Sequence, residues 1–335
     1  MLFFVRILAL ILWPTLSGAV TLSHLYTLEV PMQTATDPTA PYFTTSFQEL
    51  MIRITGEPDI MGVSNIKEAS QHIRSFVERY GTLPPEGSDL PRFRVEYNAV
   101  MINQLLESAK KPIWGNNRPL TALWLAIDTP TEQYILSQEE GASHKLQTLS
   151  QQWAIPIALP VLDLEEANTV SVDDIKHFHL PVIEIASRRY AADTLLLGRL
   201  LNENSEVWVA EWRLAVDQEV LKWRSEASSL EGLLQQGMEG LMQRLAVRYA
   251  MQHHTKSKPL TLTITHIGTV KEYAACLRYL ENLTSVDHLH VLAVHPNQIQ
   301  VDITPVGGEI ALRQAITLGH RLTPDGAQQY QWINE

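Results

Sequence analysis

The chain has 335 residues, of which 45% are hydrophobic and 19% charged, and this composition is typical of a globular protein and excludes a disordered one. Its length exceeds a single ordinary core and predicts two or three domains. The formal charge of −11 disfavours non-specific binding to nucleic acids or to anionic membranes, so no nucleic-acid partner is expected.

The first nineteen residues have the pattern of a secretory signal peptide. Arg6 precedes an apolar run that ends at Pro14, and Ser17-Gly18-Ala19 places small residues where a signal peptidase cleaves. The run is far shorter than the roughly 20 residues of a membrane span. The sequence predicts export to the periplasm, cleavage near Ala19 and no transmembrane segment afterwards, the alternative being a buried helix or a retained anchor.

Residues 20–110 predict an N-terminal α+β module. Apolar residues recur at helical spacing in some segments and alternate with charged residues in others. The predicted elements are a strand at 24–30, helices at 41–55 and 64–80, a strand at 93–97 and a helix at 99–109.

Residues 111–252 predict a central α/β module that begins with a rigid turn. Pro112 and Pro119 fix the backbone on either side of Gly115-Asn116-Asn117. The charge-free run at 120–127 then predicts a strand buried on both faces. The further predicted elements are a helix at 144–153, a strand at 155–162, a helix at 181–190, strands at 194–200, 207–216 and 220–224, and a helix at 230–252. This order predicts βαβ crossovers in a mixed sheet.

Residues 259–335 predict a smaller C-terminal module. The predicted order is a strand at 260–266, a helix at 270–283, strands at 286–295 and 298–304, and a helix at 309–318. This βαββα order resembles most of a ferredoxin-like unit. The single cysteine, Cys276, lies on the apolar side of its helix and is predicted to be buried. The predicted fold class is therefore mixed α/β and α+β, in several modules.

An acidic segment follows the second predicted buried strand. Its carboxylates are Asp163, Glu165, Glu166, Asp173 and Asp174. Ligands of open α/β sheets bind beyond the carboxyl ends of strands, so this segment is a candidate site for a divalent cation or a basic partner group. The alternative is a solvated loop in which Ser171 and Asp174 cap the next turn.

The turn before the buried strand is a second candidate site. Trp114, Asn116, Asn117 and Arg118 combine a ring, two amides and a guanidinium that could stack on and hydrogen-bond a ligand or a partner. The alternative is structural, with Trp114 filling the contact between modules and Arg118 satisfying carbonyl groups.

The histidines predict no metal site. In a strand, the alternate spacing of His177 and His179 would place both rings on one side, but a metal site needs three or four ligands and no third is evident. The chain also lacks the nucleophile-elbow, phosphate-loop, dinucleotide-binding, zinc-protease and Cys-x-x-Cys motifs. We therefore predict no cofactor and no metal, and assign no catalytic residues.

Four segments in order resemble the exported proteobacterial domain-of-unknown-function 2066 family. They are Ile52-Arg53-Ile54-Thr55-Gly56, residues 112–119, residues 159–165, and residues 189–200 with Trp208 and Trp212 after them. The resemblance covers nearly the whole mature chain. It implies an exported protein but no activity, since the family is uncharacterised.

Three functions remain open from the sequence, one of them an adaptor that binds a small ligand at the turn before the buried strand. The preferred hypothesis is a non-enzymatic binding or accessory protein of the cell envelope with an envelope protein as partner. The alternative is an envelope hydrolase that uses the carboxylates of residues 163–174, with a divalent cation. The sequence predicts neither the oligomeric state nor the identity of the partner.

Overall fold

A computed structural model describes residues 24–34, 36–85, 90–139, 141–202, 207–250, 258–283 and 285–333. The predicted signal peptide lies outside these residues. Within them the chain forms three sheets and ten α-helices, and this mixed α/β architecture confirms the predicted fold class. None of the helices described is both long and apolar enough to cross a bilayer.

The first sheet is antiparallel, with the strand order β1-β3-β2. Its module contains β1 (Thr27–Pro31), α1 (Ala40–Thr55), α2 (Ser64–Ala69), β2 (Val77–Leu83), β3 (Arg92–Tyr97) and α3 (Ala99–Ser108). Helix α1 buries an apolar stripe that includes Phe43, Phe47 and Leu50 in the core of this module. It ends at Gly56, whose φ of +69° is the left-handed conformation that a glycine C-cap adopts at least cost.

The predicted helix over residues 64–80 is wrong beyond its first two turns. Helix α2 ends at Ala69, a 3₁₀ turn occupies Ile73–Phe76, and β2 begins at Val77. Strand β2 pairs with β3 along its length, with Tyr80 opposite Val95. The backbone hydrogen bonds of this pairing outweigh the local helical spacing, because tertiary context overrides a weak propensity.

The central sheet has six strands, in the order β5-β4-β7-β8-β9, with β6 paired to β4. Its elements are β4 (Thr121–Asp128), β5 (Gln133–Ile135), α4 (Ser143–Trp153), β6 (Ile157–Ala158), α5 (Leu164–Thr169), α6 (Val172–Lys176), α7 (Leu180–Ser187), β7 (Thr194–Leu201), β8 (Trp208–Val216), β9 (Glu219–Ala227) and α8 (Leu230–Tyr249). Strand β4 runs parallel to β7, and β7, β8 and β9 are antiparallel neighbours. The predicted mixed sheet is confirmed.

Strand β4 is buried on both faces, as its charge-free sequence predicts. Every one of its residues is buried. Leu123, Leu125 and Ile127 enter a core shared with α4 and α8, while Ala122 and Trp124 enter a second core shared with α6 and α7. The two faces alternate along the strand because successive side chains point to opposite sides.

The predicted strand over residues 155–162 is largely wrong. Only Ile157–Ala158 pairs with β4, in parallel. Pro156 and Pro160 flank this pair and have no N–H to donate to a ladder. The rest of the segment is irregular chain leading to α5.

The third sheet has the strand order β11-β12-β10-β14-β13. Its elements are β10 (Leu260–Ile267), α9 (Val270–Glu281), β11 (Val286–His295), β12 (Asn297–Pro305), α10 (Gly308–Gly319), β13 (Leu322–Pro324) and β14 (Gln329–Trp332). The βαββα order is confirmed, and Cys276 is buried in the core of this module. The closing β13–β14 hairpin was not predicted. The comparison with the ferredoxin-like unit and the module boundaries at 20–110, 111–252 and 259–335 stay predictions.

Candidate functional site

Arg118, in the turn before β4, is fully buried and binds four carbonyl groups. Its Nε donates to Gly115 O at 3.1 Å and its Nη1 to Trp153 O at 2.8 Å. Its Nη2 donates to Arg53 O at 2.6 Å and to Trp114 O at 3.0 Å. Burial, reinforced by the charge of Arg53, lowers the pKa of Arg118 well below its usual value. The guanidinium thus joins the end of α1 to the end of α4.

The neighbouring predicted residues make further contacts between modules. The ring of Trp114 is buried under Arg118, with the guanidinium carbon 4.0 Å from the ring centroid. The backbone N–H of Trp114 donates to Ile54 O at 2.7 Å, whereas its indole N–H has no hydrogen-bond partner among the described residues. Asn117 Nδ2 donates to Ala315 O of α10 at 3.1 Å. The side-chain oxygen of Asn116 is buried and has no hydrogen-bond partner among the described residues. A ligand or partner site at these four residues stays a prediction, and their geometry gives them a structural role.

The acidic segment contains two short helices, α5 and α6, and each begins at one of the predicted polar residues. Asp163 Oδ1 accepts from the N–H of Glu166 at 3.0 Å and caps α5, and Ser171 and Asp174 form a capping box on α6. The hydroxyl of Ser171, followed by the ring of His179, lowers the pKa of Asp174 to about 2. The capping box that the alternative predicts is therefore present, although the segment forms two short helices and not a loop.

Glu166 is the buried carboxylate of this segment, with 2% of its surface exposed. Its Oε2 accepts from the N–H of Leu162 at 2.8 Å, its Oε1 accepts from the hydroxyl of Tyr190, and Arg189 lies at 3.4 Å. These contacts fasten α5 to the chain that follows α7. Burial raises the pKa of Tyr190 far above its usual range, and the bond to Glu166 adds to the shift. Sequence reasoning did not separate Glu166 from its exposed neighbours.

The remaining carboxylates of the predicted site do not come together in a pocket-like arrangement of buried groups. Glu165 and Asp173 are both exposed. Asp163 is partly exposed and forms an ion pair with Arg189 at 2.8 Å. No group of three potential metal ligands occurs in the part of the chain that the structure describes. The hydrolase alternative stays a prediction.

Residues His177-Phe178-His179 do not form a strand, so the alternate spacing does not place both histidines on one side of a sheet. His177 ends α6, and Phe178 has a φ of +58°, which is incompatible with a strand. The ring of Phe178 is buried, and the guanidinium carbon of Arg213 lies 3.9 Å from its centroid. The rings of His177 and His179 are exposed on either side of Phe178, with 6.0 Å between their centroids.

Large apolar side chains are exposed on the segments that carry the Asp163–Arg189 ion pair. Val161, Leu164 and Ile185 are 47%, 82% and 56% exposed. Helix α5 packs against α7, and the hydroxyl of Tyr190 accepts from the N–H of Val161 at 3.1 Å. We call this the α5–α7 surface, comprising Val161, Asp163, Leu164, Ile185 and Arg189. Sequence reasoning missed it, although a leucine directly after a capping aspartate was a local signal.

Comparison with known families overturns the sequence-based resemblance. The family model of a domain of unknown function (DUF8605) matches residues 19–115, which is less than half the chain. The assignment to the domain-of-unknown-function 2066 family is therefore wrong, because the model that matches describes a different domain. The match spans the first sheet and ends inside the turn at Gly115. No protein of curated function matches the chain.

Comparison with solved structures gives distant likenesses. The C-terminal domain of LpoB from Salmonella enterica is 9% identical and has a TM-score of 0.22, with 33% of this chain and 83% of that chain covered. Lipoprotein GNA1162 from Neisseria meningitidis is 13% identical and has a TM-score of 0.24, with coverage of 38% and 95%. At such TM-scores neither likeness carries a functional argument.

Proposed function

We propose that the protein is a non-enzymatic accessory protein of the cell envelope that binds a partner protein through the α5–α7 surface. The observation that carries this proposal is the exposure of Val161, Leu164 and Ile185 on the segments that carry one ion pair. Isolated exposed apolar residues are ordinary. Three exposed apolar side chains on adjoining segments, with charged side chains beside them, have the composition of an interaction site.

The charges around the surface define the partner's chemistry. Glu165, Asp173 and Glu184 are exposed acids on α5, α6 and α7, while Arg189, one of the nearby cations, is engaged with Asp163. The chain as a whole carries a charge of −11. A partner segment with apolar side chains and flanking lysines or arginines fits this surface, since complementary charge speeds encounter and sets orientation.

The surface is held in place before any partner arrives. A helix of six residues such as α5 is too short to be stable alone. Asp163 caps it, and Glu166 fixes it to Tyr190 and Arg189 from below. Leu164 is therefore presented on a fixed support, which lowers the conformational entropy lost on binding.

Site-specific photo-crosslinking in the envelope tests the proposal. A photoreactive amino acid at Leu164 is expected to capture one defined envelope protein, and Ile185→Asp is expected to abolish that product. The matched control is Val247 on α8, which is 89% exposed and lies outside the α5–α7 surface. Capture of the same products at both positions, or of none at Leu164, contradicts the proposal.

The envelope location itself is part of the proposal and is supported by the leader pattern of residues 1–19. Cell fractionation with N-terminal sequencing is expected to find the protein in the periplasm, beginning at Val20. A cytosolic protein that begins at Met1 would contradict the location while leaving the binding surface to the crosslinking experiment.

A further inference from the structure

A cavity of about 450 Å³ opens in the first module beside the N-terminus of α1. Its lining is formed by Ala40, Phe43, Thr44, Ser70, Gln71, His72, Ile73, Arg74 and Ser75. None of these residues is acidic, although the chain carries a net charge of −11. Its volume lies in the range of small-molecule sites. The cavity is separate from the α5–α7 surface and does not depend on the proposed function.

Arg74 lines this cavity and stacks on two rings, of which Phe43 also lines it. Its guanidinium carbon lies 5.0 Å from the centroid of Phe43 and 6.0 Å from that of Tyr80. The two rings meet edge to face at 5.1 Å, and Tyr80 is 55% exposed. Stacking uses the flat face of a guanidinium and leaves the N–H groups at its edge free to donate.

Those N–H groups have no acceptor in the part of the chain that the structure describes. Arg74 forms neither an ion pair nor a hydrogen bond there. In contrast, Nε, Nη1 and Nη2 of Arg118 all donate to carbonyls, and Nη1 of Arg189 contacts Asp163 and Glu166. The guanidinium is thus oriented by Phe43 and Tyr80 and still able to bind an anion. A fork of N–H donors pairs best with a carboxylate or another planar oxyanion.

Two further features of the lining select the ligand. Helix α1 begins here with no side-chain cap and no acid in its first turn, so the positive end of its dipole adds to the charge of Arg74. Thr44, Ser70 and Ser75 donate their hydroxyl protons to Ala40 O, Lys67 O and His72 O. Their oxygens remain as acceptors, which suit a ligand that also carries an N–H or O–H donor.

We propose that this cavity binds a small organic carboxylate that carries an aromatic or other flat group and an N–H donor. The carboxylate pairs with the N–H edge of Arg74, and the flat group packs against the exposed ring of Tyr80 beside the cavity. The hydroxyl oxygens of Thr44, Ser70 or Ser75 accept from the ligand's donor group.

Titration of the full chain with N-acetyl-L-phenylalanine and its neutral amide tests this proposal. The two probes share ring and N–H donor, and only the first carries a carboxylate. By NMR chemical-shift titration, the acid is expected to bind at least about tenfold tighter than the amide, since hydrogen bonds between charged groups contribute that much. The shifted resonances are expected to come from the residues lining the cavity.

Two variants separate this site from general charge effects. Arg74→Gln is expected to abolish the preference for the acid, and Arg79→Gln to retain it. Arg79 is a matched control because it belongs to β2, and its exposed guanidinium pairs with Glu96 outside the cavity. Equal binding of acid and amide, no binding at millimolar concentration, or an unchanged preference in a folded Arg74→Gln protein would each overturn the proposal.

Discussion

Replacement of Arg118 by methionine tests whether this buried cation holds the modules together. The change leaves the four carbonyls that Arg118 serves without a donor. Each unpaired buried carbonyl costs about 1–3 kcal/mol, so the four cost about 4–12 kcal/mol. Removing a desolvated charge offsets this by several kcal/mol. We expect a net loss of about 3 kcal/mol or more in the free energy of unfolding.

Urea unfolding followed by the fluorescence of the chain's eight tryptophans measures this loss. Arg118→Met is expected to lower the urea midpoint. Arg118→Lys keeps the charge but has a single nitrogen, so its urea midpoint is expected to lie between those of the unchanged protein and Arg118→Met. The matched control is Arg79→Met, where loss of an exposed ion pair costs about 1 kcal/mol or less. An unchanged or raised midpoint for Arg118→Met would show that desolvation outweighs the four hydrogen bonds.

Three further changes test other parts of the fold. Gly237→Ala is expected to lower the thermal-unfolding midpoint, although alanine has the better helix propensity, because a Cβ at this position would lie 2.3 Å from the ring of Trp212. The control is Gly62→Ala, because a Cβ there would have no atom outside the adjoining chain within 4 Å. Asp174 has a folded pKa of about 2 against about 3.9 in an unfolded chain, so its stabilising contribution is present above pH 4 and lost as the pH falls towards 2. Urea unfolding at several pH values measures this loss, and a carbon-13 NMR titration of the folded protein measures the pKa. Burial raises the pKa of Cys276 to about 12, so a thiol reagent at pH 8 is expected to modify it only after unfolding.

The fold was predictable wherever one pattern dominated a whole element. The charge-free run at 120–127 predicts β4 because a strand that is buried on both faces does not alternate apolar with polar side chains. Helices α1, α3 and α9 show a single apolar stripe that only a helix aligns. For these elements the sequence pattern and the tertiary environment agree, and the predicted bounds lie within two residues of the observed ones.

Prediction failed where distant partners decide the local conformation. Residues 77–83 form a strand because β3 offers a ladder, not because their own sequence alternates. Helices α5 and α6 are six and five residues long, too short for an apolar period to be visible. Their capping residues were recognisable, but a cap gives the start of a helix and not its length.

The candidate sites invert the usual rule that charges lie outside and apolar side chains inside, which is why sequence patterns did not identify their roles. The buried Arg118 donates hydrogen bonds to carbonyls 35 and 65 positions away in the chain, and the buried Glu166 accepts one from a hydroxyl 24 positions away. No local pattern encodes partners at such distances. Leu164 is the opposite case, an apolar side chain that is exposed, because the contacts of Glu166 hold α5 with this leucine facing solvent. The contacts of Glu166 fasten α5 to the chain after α7 and at the same time hold Leu164 exposed, and this combination favours a binding role for the α5–α7 surface.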